Sequence, residues 1–277
     1  MQDNLSFIAI YDNTEKCLVK YVTESVSEIL GWEPSDLQGR PAFTLFQAIE
    51  IPALHQIHTS NVMNEKLCSM ISYQYQRKDG GFTKLQSIVH YCYHDLVTIN
   101  WAYDPESFGH KQRLNSASES FEITDDGELQ LTSTGSFPWR PRDMQENMKK
   151  SLMVSIRWNK EQIAHQQEPR FYILLNRYTE LMNIVHVSEI AGELLGGVLP
   201  SDLLGKSLYE VVHANDRAVV EAQCDYAKSH YVTSRIRFDW IIDEEMDIRQ
   251  PVDTVVSGST DGLVMIIRLA QKPVRLS

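Results

Sequence analysis

Residues 22–40, VTESVSEILGWEPSDLQGR, and residues 187–206, VSEIAGELLGGVLPSDLLGK, are two copies of one pattern. A repeat about 165 residues apart indicates a whole domain plus a linker, so it constrains the architecture before any motif does. In each copy an apolar run ends at a glycine, Gly31 or Gly196, where a left-handed helix cap is easiest to form. Pro-Ser-Asp-Leu follows in both copies. The repeated pattern therefore consists of helix ends and turns and carries no catalytic chemistry.

Strand patterns surround each copy. FIAIYD and FYILLN precede them, and stretches with apolar residues at every second position follow, such as ISYQYQ in the first copy and IRFDWII in the second. Asp79-Gly80 predicts a two-residue type I′ hairpin between two strands of the first copy. One longer helix separates the early strands from the later ones. The order of two strands, helices and three strands thus occurs twice.

This order predicts an α+β protein with two domains, residues 1–104 and 170–277. Each is expected to be a five-stranded antiparallel sheet with short helices and one longer helix on one face. Residues 105–169 contain polar, turn-rich stretches, which favour a flexible linker or insert. Within this segment, residues 152–158 could instead add a strand to the first domain.

Composition and charge exclude some classes of function for this protein. The 277 residues are 43% hydrophobic and 23% charged, which is typical of globular domains. A formal net charge of -11 argues against direct binding to nucleic acid. We expect no membrane association and an intracellular, cytoplasmic or nuclear location, because there is no apolar run of about 18 residues and no signal-peptide pattern at the start. The four cysteines are widely spaced, which suits buried thiols in a reducing compartment.

The residues resemble PAS domains. The most specific stretches are EILGWEPSDLQGRP with RKDGGFTKLQ in the first copy and LLGGVLPSDLLGKSLYEVVHANDRAVV in the second. The second copy is similar to the second PAS domain of bHLH-PAS regulators, in which a comparable turn opens the long helix. The whole chain resembles fungal PAS proteins and, more distantly, White Collar-type regulators. This resemblance implies a tandem PAS protein. The sequence has no basic helix-loop-helix segment, zinc finger, kinase or cyclase domain.

PAS domains often enclose a cofactor, and the residues argue against flavin chemistry. The resemblance to the light-sensing subgroup would require a cysteine shortly after the Gly-Arg that ends the helical region. Ala42 and Leu208 stand at those places, so no flavin adduct can form there. We predict no cofactor. Haem would need an axial histidine, for which His55 and His58 are the candidates. A helical histidine is more often a surface residue or a satisfied core residue.

His90, Cys92 and His94 are the candidate metal ligands, because they alternate along one predicted strand and so share a face. Three ligands spaced by the strand repeat cannot easily reach one ion, so a half-buried strand is the simpler interpretation. No Walker A, HExxH, GxGxxG or GxSxG motif is present, and we predict that the protein is not an enzyme.

The sequence therefore favours a non-catalytic signalling protein that acts through protein contacts, in signal transduction or transcriptional regulation. The partner would be another PAS-containing protein or a second copy of the chain. The predicted interface is the outer sheet face of the second domain, at Arg235, Arg237, Asp239 and Ile241. The alternative is a sensor gated by a small molecule or by haem. Large tyrosines such as Tyr73, Tyr91 and Tyr93 favour the first hypothesis, because they can fill the interior of the first domain.

Overall fold

The computed structural model describes residues 5–63, 67–134 and 168–270, and it divides the chain into two compact units, residues 1–168 and 169–277. Each unit contains a sheet with helices packed against it, which confirms the α+β class. None of the helices in these ranges is long and apolar enough to cross a membrane. The strand suggested for residues 152–158 lies outside the described residues.

The first sheet has seven strands in the order β2-β1-β5-β4-β3-β6-β7. Its first five strands are antiparallel, as expected. Alternating residues of these strands contribute to the apolar core, on the face against which the helices between β2 and β3 pack. We call this the inner face. The strands are β1 (Ser6–Asp12), β2 (Val19–Val22), β3 (Ser69–Gln76), β4 (Phe82–Cys92), β5 (Asp95–Ala102), β6 (Glu119–Ile123) and β7 (Leu129–Thr134).

Two of these strands come from the segment predicted to be a linker or insert. Strand β6 pairs in parallel with β3, and β7 follows it in a hairpin. The helices of this unit are α1 (Val26–Leu30), α2 (Pro34–Leu37), α3 (Ile51–Met63) and α4 (Phe108–Ser116). Arg113 of α4 lies 4.2 Å from the ring centre of Trp101, on the outer face of the sheet. The helices therefore do not all lie on one face, and residues 108–134 are folded onto the first sheet.

Short helices connect β2 to α3. Helix α1 ends at Gly31, whose φ of +75° is the left-handed conformation expected from the sequence, and its N–H donates to the carbonyl of Ser27. Two short 3-10 helices, Ala42–Leu45 and Ala48–Glu50, then lead directly into α3. This path places α3 across the inner face of the sheet.

The second sheet has five antiparallel strands in the order β10-β11-β12-β8-β9, as predicted. Its core lies between the inner face and the helices. The strands are β8 (Phe171–Leu175), β9 (Ile184–Val187), β10 (Thr233–Asp243), β11 (Ile248–Gly258) and β12 (Leu263–Leu269). The helices are α5 (Ala191–Leu194), α6 (Pro200–Leu203), α7 (Leu208–Val211) and α8 (Arg217–His230).

The β3–β4 hairpin differs from its predicted type. The N–H of Gly80 donates to the carbonyl of Arg77, and among the turn residues only Gly80 has a positive φ, of +88°. Asp79 does not take the positive φ that a type I′ turn requires at its first central position. Its carboxylate instead accepts the N–H of Gly81. The turn is thus a type I turn closed by a left-handed glycine.

Backbone hydrogen bonds make the two units equivalent position by position. The N–H of Gly39 donates to the carbonyl of Val19 at 2.8 Å, and the N–H of Gly205 donates to the carbonyl of Ile184 at the same distance. Each bond ties the bend after the Pro-Ser-Asp-Leu helix to the second strand of its unit. The sequence repeat is therefore also a structural repeat in this region.

The entry to the long helix is equivalent as well. In the first unit the carboxylate of Glu50, just before α3, accepts the N–H of Gln74 at 2.7 Å. In the second unit the carboxylate of Asp216, just before α8, accepts the N–H of Asp239 at 2.9 Å. Each carboxylate fixes the start of its helix to the first strand after that helix. Counting from these two residues, His58 in α3 and Cys224 in α8 occupy equivalent positions.

Candidate functional site

The first unit has a cavity of about 60 Å³, partly open to solvent, between α3, the 3-10 helices and the inner sheet face. A single buried water needs about 10–15 Å³, whereas sites for drug-sized ligands begin near 300 Å³. The cavity therefore has room for a molecule of only a few heavy atoms. Its lining consists of Tyr11, Cys17, Ala42, Phe43, Phe46, Leu54, Ile57, His58, Ile71, Tyr73, Val89, Tyr91, Leu96 and Thr98.

Regular periodicity brings these side chains to the cavity. Strand residues contribute at every second position, for example Ile71 with Tyr73 in β3, because alternate side chains share a face. Helix α3 contributes Leu54, Ile57 and His58, which share a face at spacings of three and four. The walls thus come from elements whose positions the core already determines.

His58 is the most polar group of the helix wall and is only 5% exposed. Its Nδ1 lies 3.3 Å from the Tyr91 hydroxyl. The Cys17 sulfur is almost equidistant from the two ring nitrogens, 3.6 Å from Nε2 and 3.9 Å from Nδ1. A sulfur almost equidistant from the two nitrogens cannot lie along the lone pair of either one. The pair therefore does not have the geometry of a thiolate–imidazole catalytic couple.

Burial keeps these groups neutral at physiological pH. It lowers the pKa of His58 to about 4 and raises the pKa of the Cys17 thiol to about 12. Burial likewise raises the pKa of the Tyr73 hydroxyl to about 12 and that of Tyr91 further. The cavity is therefore lined by neutral hydroxyl, imidazole and thiol groups, and a charged molecule would find no counter-charge in its lining.

A chain of buried polar side chains crosses the inner face beside the cavity. The Tyr73 hydroxyl lies 2.9 Å from the Ser87 hydroxyl, which donates to Asn100 Oδ1 at 2.5 Å. Asn100 Nδ2 in turn donates to Thr98 Oγ1 at 2.9 Å. Tyr73 and Thr98 are also cavity residues. A fully bonded network of this kind holds its members in fixed orientations.

The equivalent positions of the second unit are apolar. Strand pairing aligns Tyr73 with Phe238 and Tyr91 with Gly258. A Cβ on Gly258 would overlap the carbonyl oxygen of Ala227 in α8, so this helix rests directly on the sheet. In the first unit the Tyr91 side chain occupies the corresponding space. Tyr73 and Tyr91, two of the tyrosines predicted to fill the first interior, therefore also line its cavity.

From the sequence, a cavity is only the alternative to an interior filled by tyrosines, because the sequence does not show how closely the long helix approaches the sheet. Aligning β4 with β11 places a tyrosine opposite a glycine at the helix–sheet contact, and this difference is visible in the sequence. Tyr93, also expected inside, lies in the turn after β4 with a φ of +48° and is half-buried.

The two candidate haem ligands are placed differently. His58 faces the cavity, whereas His55 is exposed and stacks on Phe43 with ring centres 3.8 Å apart. A cavity of about 60 Å³ is far too small for a porphyrin, even though an imidazole faces it. The residues present therefore do not fit haem in this conformation.

The candidate metal ligands are not brought together. His90 and Cys92 lie on the outer face of β4, and His90 Nδ1 is 2.8 Å from the carbonyl of Leu67. His94 follows in the turn, with its ring 4.2 Å from that of Tyr93. Across the described residues, no group of three or more histidine, cysteine, aspartate or glutamate side chains is arranged to hold a metal ion.

The predicted interface residues lie on the outer face of β10. Arg237 is exposed and forms a bidentate ion pair with Asp253. The Asp253 carboxylate also accepts a hydrogen bond from Arg268 at 3.1 Å. Burial alone would raise the pKa of Asp253, but the two arginines lower it below its usual value. This part of the face is an ion-pair network. The other three predicted interface residues, Arg235, Asp239 and Ile241, are half-buried. The interface at these residues stays a prediction.

Comparison with known proteins identifies part of the chain. The family model of the PAS domain matches residues 5–91, which include the helices and most of the sheet around the cavity. A domain of this family suggests a sensory or signalling role. No curated protein sequence matches the chain.

Solved structures with similarity to the chain include two at low TM-scores. The wild-type photosensory core module of a Stigmatella aurantiaca phytochrome is 18% identical with a TM-score of 0.32, over 39% of this chain and 20% of its own. The chain thus spans about a fifth of that phytochrome module. The Drosophila melanogaster Cycle PAS-B domain with bound ethylene glycol is 18% identical with a TM-score of 0.32, over 35% of this chain and 99% of its own.

Proposed function

We propose, from the PAS domain at residues 5–91, that this protein is a non-enzymatic sensor whose first unit takes up a small neutral molecule. The signal would leave the protein as a change in its contacts with another protein. The ligand class follows from the lining of the cavity, which offers apolar surface and neutral hydrogen-bonding groups. A molecule of a few heavy atoms with one polar end can contact the apolar surface and also form a hydrogen bond with one of these neutral groups.

The observation that carries this proposal is the contrast between the two units. Tyr91 occupies the space between helix and sheet in the first unit, whereas Gly258 lets α8 close onto the sheet in the second. A fold that packs densely in one copy does not need a cavity in the other for stability, because cavities cost stability. The cavity is better explained as a binding site than as a packing defect.

The proposal can be tested by titrating the full chain with acetone and with acetate while observing the ring nitrogens of labelled histidines. We expect acetone to shift the His58 resonances and leave those of exposed His55 unchanged. Acetate, of similar size but charged, should shift neither, because the cavity offers no counter-charge. Such small ligands gain at most about −1.5 kcal/mol per heavy atom, so dissociation constants no tighter than tens of micromolar are expected.

Val89→Leu is the control variant. It adds one methylene group to the cavity wall and should weaken the acetone response without unfolding the unit. Equal responses to acetone and acetate, or no response at His58, would remove the basis for a ligand-binding first unit. The protein would then be better described as a docking scaffold without a ligand.

For the output, we infer a partner protein, either another PAS-containing protein or a second copy of this chain. The outer face of β10 at Ile241 remains a candidate surface for that contact. The ion pairs of Arg237 and Arg268 with Asp253 support a polar rim there.

A further inference from the structure

The second unit exposes a group of large apolar side chains around the bend between α6 and α7. Leu181 is 57% exposed, Val185 56%, Leu199 59% and Leu204 51%. We call these four residues the apolar bend surface. Single exposed apolar residues are common on proteins, but a group of them marks an interaction site more often.

Backbone contacts bring three of the four together. The N–H of Gly205 donates to the carbonyl of Ile184 at 2.8 Å, so Leu204 and Val185 belong to adjoining chain segments. The Ser207 hydroxyl donates to the carbonyl of Leu181 at 2.7 Å, which ties the same bend to the chain before β9. Leu199 is at the N-cap position of α6 and precedes the bend by about one helical turn. The four residues therefore surround one bend.

The first unit provides an internal comparison at the same backbone positions. Cys17 and Met182 are equivalent there, with φ values of +46° and +47°, and so are the glycines that follow the Pro-Ser-Asp-Leu helices. In unit one, the side-chain amide of Gln38 donates to the carbonyl of Lys20 at 3.3 Å, which shows that these two positions are in contact. The first-unit residues at the four positions are all exposed and polar: Lys16, Lys20, Glu33 and Gln38.

The fold itself therefore does not require apolar residues at this surface. The first unit has polar residues at these positions and forms the same bend with equivalent backbone hydrogen bonds, such as that from Gly39 to Val19 in place of Gly205 to Ile184. Exposed apolar residues in the second unit give little stability, because they remain in contact with water. Their presence at four equivalent positions points to an interaction that only the second unit makes.

We propose that the apolar bend surface docks a short amphipathic segment of a partner protein, with apolar side chains flanked by basic ones. Four half-exposed side chains offer roughly a few hundred Å², well below the about 800 Å² per partner of a standard stable interface. This favours a short segment over a second copy of the chain. The basic flanks follow from charge. Glu180, Asp202 and Glu210 are exposed beside the surface, and among the described residues of the bend itself Lys206 is the one cation.

This inference rests on the proposed function only in assigning the output to protein contacts. The ligand cavity and the apolar bend surface lie in different units and involve different residues. Either can therefore fail alone.

The test uses the full chain and two synthetic peptides of leucine and lysine, or leucine and glutamate, at helical spacing. We expect the lysine peptide to bind and the glutamate peptide not to bind, as measured by fluorescence anisotropy. The double variant Val185→Lys with Leu204→Gln installs the first-unit residues and should weaken binding about thirtyfold or more, the loss of one hot spot. Because the first unit folds with these residues, the variant is expected to fold, and circular dichroism checks this.

Two further variants make the result specific. Lys20→Val with Gln38→Leu transfers part of the apolar bend surface to the first unit and should raise the number of peptides bound per chain. Ile241→Glu, on the outer face of β10, should leave peptide binding unchanged. Equal binding of both peptides, or unchanged binding by the double variant, would overturn the proposal. So would sedimentation that shows self-association of the wild type which the double variant abolishes, because the occupant would then be a second copy.

Discussion

His58 illustrates how burial determines the chemistry of one residue. Its imidazole lies beside Cys17 and Tyr91, and burial keeps it neutral. His55, three positions earlier on the same helix, is exposed. From the sequence the two histidines were equal candidates, because the apolar spacing of α3 is too irregular to show which one faces the sheet.

This placement predicts a pH dependence for the first unit. The pKa of His58 falls from about 6.5 in the unfolded chain to about 4 in the folded unit, so the unfolded state binds more protons between these values. The free energy of unfolding of the first unit therefore has its full value, as far as His58 is concerned, above pH 6.5, and it decreases as the pH falls toward 4. The loss amounts to about 3 kcal/mol, at 1.36 kcal/mol per unit of pKa.

Hydrogen exchange of β4 amides between pH 7 and pH 4, corrected for intrinsic rates, measures this effect. His58→Leu should flatten the profile, whereas His230→Gln, at the exposed end of α8, should leave it unchanged. An unaltered profile in His58→Leu would show that another group titrates.

At the scale of elements, the distance between the long helix and the sheet separates the two units. Helix α8 rests on Gly258, and the equivalent strand position in the first unit is Tyr91. The strand order, the helix order and the glycine caps could be predicted from the repeat, because they depend on local periodicity and backbone conformation. The helix–sheet spacing could not, since it depends on a contact between distant residues.

Gly258→Ala should therefore destabilise the second unit by about 2 kcal/mol or more, because the added methyl meets backbone at the Ala227 carbonyl. Gly81→Ala is the matched control. Its Cβ would lie 3.2 Å from the flexible Asp79 carboxylate at an exposed turn, and a change within about 0.5 kcal/mol is expected. Urea unfolding of both variants measures the difference. Similar midpoints would mean that α8 shifts without cost.

The additional edge of the first sheet was not predicted either. Residues 119–134 are polar and turn-rich, which favoured a linker, yet they pair with β3 through backbone hydrogen bonds. Backbone pairing at a sheet edge makes little demand on side chains, so composition does not reveal it.

For the whole molecule, the two units share a backbone plan but differ in both core and surface. The first has a cavity lined partly by polar groups and a polar bend surface, whereas the second has an apolar core and an apolar bend surface. Because of this contrast we propose ligand binding for the first unit and protein docking for the second.

The most direct test is methyl NMR of the isoleucine-labelled full chain under xenon, a neutral apolar probe that enters dry cavities. We expect the methyl resonances of Ile57 and Ile71, which line the cavity of the first unit, to shift with xenon pressure. Ile173, Ile236 and Ile267 of the second core should not shift, because α8 closes onto the sheet there. Equal shifts in both units, or none at Ile57 and Ile71, would contradict the assignment of ligand binding to the first unit.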